Sequence, residues 1–76
     1  MLKAPQNLFA TAYDGSVRSD WQTVESADGY ILQFYNADEP EKCIKTRYAQ
    51  NNSKLILGFR NGRKYVVRVK AFSYRD

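Results

Sequence analysis

The 76-residue chain has no histidine and a single cysteine, Cys43. The first absence removes the commonest general base and metal ligand; one thiol can build neither an internal disulfide nor a thiolate zinc site. The fold must therefore stand on packing alone. No apolar run approaches the roughly 18 residues of a membrane span, and the opening MLKAPQNLFA lacks the apolar stretch of a signal peptide. Glycine-rich phosphate loops, zinc-ligand spacings and nucleophile elbows are absent as well.

What is present suits a small folded module. Hydrophobic residues make up 43% of the chain, aromatics 14% and charged residues 26%, enough for one core and a soluble surface. The sequence predicts a single domain over residues 1–76. Twelve Lys and Arg against eight Asp and Glu give a formal charge of +4, a balance that permits weak attraction to polyanions. Only Lys3 and Arg18 precede Lys42 among the basic residues. The others are spread over several strands and turns and alternate with inward apolar positions, so they read as solvated faces and no nucleic-acid partner is expected.

Turn chemistry divides the chain at Asp14-Gly15, Asp28-Gly29, 36–40, 50–53 and Asn61-Gly62, and the segments between are rich in Val, Ile, Tyr, Phe and Thr. This is an all-β pattern, with intervals suited to an antiparallel sandwich or barrel. Leu8 and Ala10 start a first strand. Val17, Ser19 and Trp21 share one face of a second, with Arg18 and Asp20 on the other. In a third, Tyr30, Leu32 and Phe34 alternate with Ile31, Gln33 and Tyr35, which predicts a central strand apolar on both faces. A weaker strand covers 43–48, with Ile44, Thr46 and Tyr48 opposed to Lys45 and Arg47. The run KLIL at 54–57 shows no alternation, so its inward face stays open. The clearest strand, 65–72, sets Tyr65, Val67, Val69 and Ala71 against Arg68 and Lys70.

With its opening APQNLFA, a lone Trp21 closing the second strand, ADGYILQFY as the third and FRNGRKYVVRVKAF near the end, the chain resembles a fibronectin type III domain. The resemblance spans nearly all of it. It implies an immunoglobulin-like antiparallel β-sandwich with a core containing Trp21, Tyr30, Leu32, Phe34, Phe59, Tyr65, Val67 and Val69. It also implies a tyrosine corner, in which the Tyr65 hydroxyl bonds to backbone a few residues upstream. Asn61 replaces the proline common at that corner. The family has seven strands, whereas six are visible here and 73–76 leave the last strand, G, short or missing. Strand 65–72 would then present an unpaired edge flanked by Arg68, Lys70 and Phe72. Three arrangements would answer this: a chain cut short or disordered beyond Asp76, a strand from a second copy, or a strand from a different partner.

The resemblance further implies a non-catalytic spacer or protein-interaction module of a larger extracellular or cell-surface protein. Its strands are most similar to the type III repeats of bacterial surface and secreted proteins, whose export signal would lie outside these residues. Neighbouring domains or a protein partner are expected, with self-association through the open edge as a further expectation. The integrin-binding Arg-Gly-Asp tripeptide is absent. The alternative is a carbohydrate-binding accessory module of a secreted enzyme, using Tyr13, Tyr35, Tyr48, Phe72 and Tyr74; no spacing among them predicts a shared platform, so they read as single rings on strand faces. Catalysis has the weakest support. Asp14, Asp20, Glu25, Asp28, Asp38, Glu39, Glu41 and Asp76 fall mostly in turns, as solvated residues and turn formers do. We expect no enzyme, no cofactor and no bound metal, the acidic run 38–41 reading as a solvated loop. Asn51-Asn52-Ser53 fits a glycosylation sequon.

Overall fold

Short β-rich segments between glycine and asparagine turns can bury apolar surface only by pairing, and six of them do. The computed structural model describes residues 2–74; Asp76, one of the carboxylates named for catalysis, lies outside the described residues, as do Met1 and Arg75. The strands are β1 (Phe9–Tyr13), β2 (Ser16–Asp20), β3 (Gly29–Asn36), β4 (Cys43–Ala49), β5 (Ser53–Leu57) and β6 (Tyr65–Phe72). Among the described residues there is no helix, and hence none long and apolar enough to cross a membrane.

The strands form two antiparallel three-stranded sheets, ordered β1-β2-β5 and β4-β3-β6. The chain reversal between β1 and β2 turns on Gly15 at φ 70° and the one before β6 on Gly62 at φ 82°, backbone that glycine adopts without strain. The β3 strand is central, as its two apolar faces predict, and carries the core: Leu32 and Phe34 are fully buried. Trp21, Tyr30, Ala49, Ile56 and Phe59 complete one buried cluster drawn from both sheets. The architecture is therefore sandwich-like.

Aromatic edges lock the two layers. The Trp21 and Tyr30 rings meet edge to face at 5.3 Å, Phe34 and Phe59 lie 5.0 Å apart, and the Tyr30 hydroxyl accepts the Val24 N–H at 2.9 Å. Such pairs contribute about 0.5–1.5 kcal/mol beyond their buried area.

Several expectations change on contact with the fold. Tyr65, Val67 and Val69, expected inside the core, pack against it and remain half-buried, because β6 has a neighbour on one side only. In the KLIL run, Ile56 points inward, while Leu55 and Leu57 stand 53% and 69% exposed. Gly29, read as part of a turn, is the first residue of β3. On β4 the apolar alternates face out: Ile44 and Tyr48 are exposed, whereas Lys45, paired with the buried Phe34, reaches across to β5. Its Nζ donates to the Leu57 and Gly58 carbonyls at 2.8 and 3.2 Å and lies 4.5 Å over the Phe59 ring. A lysine thus closes this side of the sandwich with its charged end, its stem covering apolar surface.

Candidate interaction surfaces

The connection between β5 and β6 is held at both ends by side chains whose spacing was readable. The Tyr65 hydroxyl accepts the Arg60 N–H at 3.1 Å, and its ring stands edge to face with Phe59 at 4.9 Å. Asn61 does what a proline could not: its Oδ1 accepts the Gly15 N–H at 2.9 Å, and its Nδ2 donates to Asp14. The carboxylate of Asp14 is thereby spent on structure.

On the opposite side of the sandwich, between β1 and β6, no hydrogen bond or ring contact joins the two sheets among the described residues. Ala10 pairs with the fully buried Ser19, and Ala12 with Val17, so both alanines share the inward face. Both are nevertheless exposed. Across the gap, Val67, Val69 and Ala71 of β6 are half-buried. The inward faces of these two edge strands thus share an incompletely covered margin. Its β6 rim has eight residues, with Arg68 and Lys70 exposed on the outward alternates. The Arg68 guanidinium lies 5.1 Å over the Tyr35 ring.

Phe72, expected to flank the free edge in solvent, is half-buried instead. Its ring lies over Gly29, the residue it pairs with across the ladder. A β-carbon on Gly29 would come within 2.6 Å of the Phe72 ring and 3.2 Å of the Ala49 carbonyl. The bare backbone of Gly29 is therefore the seat of this ring. Tyr48 meets Phe72 at 6.5 Å with an interplanar angle of 86°, and Tyr74 meets it at 5.5 Å and 67°. Three of the five aromatics named as single rings thus form one cluster, bordering a cavity of about 390 Å³ with Asp28, Ala49 and Gln50. The Tyr74 N–H donates to Asp28 Oδ2 at 2.8 Å, and the Asp28 N–H donates to the Phe72 carbonyl at 2.8 Å. Nothing in the linear spacing of 48, 72 and 74 reveals this; the β3 register does.

A second apolar surface also went unread. Phe9, Tyr13, Leu55 and Leu57 stand exposed on the outer face of β1-β2-β5, around the Arg18–Asp20 ion pair at 3.3 Å. Their alternation partners on β1 are alanines, so the apolar bulk of this strand lies outside.

The remaining candidates are dispersed. Among the described residues no three Cys, Asp or Glu side chains gather as a metal site would require. Asn51 of the sequon is exposed. The Cys43 thiol is exposed as well; the Thr46 hydroxyl, 3.4 Å from its sulfur, holds its pKa below the ordinary thiol value against a smaller opposing effect of desolvation. No protein-family model matches the chain, and no curated protein matches it. What the geometry itself defines is a small sandwich-like β module with an open strand edge and two exposed apolar surfaces.

Proposed function

We propose that the chain is a non-catalytic protein-interaction module of the fibronectin type III kind, belonging to a larger extracellular or cell-surface protein, and that it engages an extended segment along β6. The strand order β1-β2-β5 against β4-β3-β6 and the Tyr65–Arg60 contact support the type III reading. The observation that carries the interaction reading is the open margin of β6, where Val67, Val69 and Ala71 are only half-buried against the core and the inward-facing Ala10 and Ala12 of β1 stay exposed. An added strand would satisfy the unpaired β6 backbone and seal that apolar face. Its inward alternates would be apolar. Its outward alternates would be acidic, because Arg68 and Lys70 flank the edge.

The four exposed apolar residues on the other sheet fit the same reading, as a contact for a neighbouring domain. The carbohydrate reading has less support: sugars stack flat on ring faces, and Phe72 meets Tyr48 and Tyr74 edge to face, at 86° and 67°.

Hydrogen exchange of the β6 amides, 65–72, tests the edge. A synthetic peptide alternating valine with glutamate should protect them, and one alternating valine with lysine should not. In an Arg68→Glu, Lys70→Glu variant the preference should reverse. Equal protection by both peptides, or none at millimolar concentration, refutes edge recognition.

A further inference from the structure

The cavity beside Gly29 has a composition unlike the rest of the surface. We propose that the Tyr48, Phe72 and Tyr74 rings, with the Asp28 carboxylate, bind a methylated ammonium group. The proposal stands on ring geometry and local charge, and does not depend on the β6 edge.

Ring geometry comes first. A cation is attracted to the negative face of an aromatic ring, and the attraction grows when faces from different directions enclose it. The interplanar angles of 86° and 67° turn the Phe72 face away from those of Tyr48 and Tyr74, so the cluster offers faces in at least two directions. A flat pyranose would find no extended platform there, whereas a compact, nearly spherical cation can touch more than one face.

Local charge points the same way. The chain carries +4 overall, yet among the described residues the cavity is bordered by Asp28, Tyr48, Ala49, Gln50, Phe72 and Tyr74, with one carboxylate and no Lys or Arg. Asp28 is positioned by the Tyr74 N–H on its Oδ2, which also ties Tyr74 to the site. The nearest cation along the ladder is Lys70, which shares a row with Ile31 and Tyr48. It lies two strand spacings, about 10 Å, from Tyr48 and two residues, about 7 Å, from Phe72 on the same face of β6, so the Asp28 carboxylate is the charge that must offset it at the site.

Methylation sets the ligand class. A bare ammonium is strongly hydrated and loses that hydration on entering a half-apolar cavity. Methyl groups spread the charge and bring apolar surface, so the same rings supply both contact area and electrostatic attraction. Two sources offer this group, a free choline-type headgroup and a methylated lysine side chain; their shared chemistry is the proposal.

The test is an NMR titration of the full chain with choline and, separately, with 3,3-dimethylbutan-1-ol, its uncharged carbon isostere. Choline should shift the Tyr48, Phe72 and Tyr74 ring resonances saturably, at least about five-fold more tightly than the isostere. Asp28→Asn keeps an oxygen for the Tyr74 N–H while removing the charge; it should weaken choline several-fold and leave the isostere unchanged. Tyr48→Ala, at an exposed position, should abolish binding with the fold intact. Peptides carrying trimethyllysine or unmodified lysine then separate the two sources, through the tighter of choline and the methylated peptide. Equal affinity for choline and its isostere overturns the proposal. So does the absence of saturable shifts, or a response of these rings to a soluble oligosaccharide and not to choline.

Discussion

The Trp21 side chain is 3% exposed and meets Tyr30 edge to face, so truncation to alanine takes a ring from the centre of a core that has little else to collapse into the gap. Trp21→Ala should cost about 3–5 kcal/mol in chemical denaturation. The indole Nε1 is buried without a hydrogen-bond partner among the described residues, so Trp21→Phe removes an unsatisfied donor along with some apolar area and should cost markedly less. Tyr65 differs. Its hydroxyl bond to the Arg60 N–H lies at an exposed site, where water can replace the lost partner. Tyr65→Phe should therefore cost about 0.5–1.5 kcal/mol, below the 1–3 kcal/mol expected of a buried bond. A loss above that range would mean that the corner is closed from solvent in solution. Both residues were legible from type and position: a lone tryptophan at the end of an alternating strand, and a tyrosine three residues after a turn glycine. Their different burial was not, because it depends on whether β6 has a second neighbour.

At the scale of the strand, Gly29 and Phe72 act as one unit. The ring fills the space that a side chain at 29 would occupy, so Gly29→Ala must displace it or strain the Ala49 carbonyl. Such overpacking costs about 1–3 kcal/mol where nothing yields; here the ring can swing away, which places the expected cost near 1 kcal/mol. The sharper readout is magnetic. The Gly29 α-protons should carry a ring-current shift that vanishes both in Phe72→Leu and in Gly29→Ala at its single remaining α-proton, and an unshifted Gly29 in the wild type would remove the ring from its seat. The bounds of 65–72 were read directly, since strict alternation fixes a strand's faces. The faces of β4 and β5 were not. The run KLIL has no period, and β4 carries its large apolar residues outward while Lys45 reaches inward to the Phe59 ring. Residue type alone predicts the reverse, because it treats lysine as a charge and ignores the length of its stem. The cluster of Tyr48, Phe72 and Tyr74 escaped for another reason: it follows from cross-strand register, which a single sequence leaves unspecified until the strands are paired.

For the molecule as a whole, the open β6 edge poses the question of self-pairing. The extents of 39 × 23 × 18 Å describe an elongated two-layer body, and a second copy could extend the β4-β3-β6 sheet through β6. An antiparallel pair of β6 strands about a two-fold axis would bring Arg68 and Lys70 of each copy close to the same residues of the other. Like charges facing across a strand pair are destabilising, and at low salt little screens them. The wild-type chain should therefore scatter light as a monomer of 8.8 kDa at low ionic strength and associate only as salt is raised. An Arg68→Thr, Lys70→Thr variant, which keeps β-favouring side chains and loses both charges, should reach twice that mass at the same concentration without added salt. Should the variant stay monomeric up to the concentration at which the wild type precipitates, the charges would not be what keeps the edge single. The acidic character proposed for its partner strand would then lose its physical basis, because the same two side chains are asked both to repel a second copy and to attract an acidic segment.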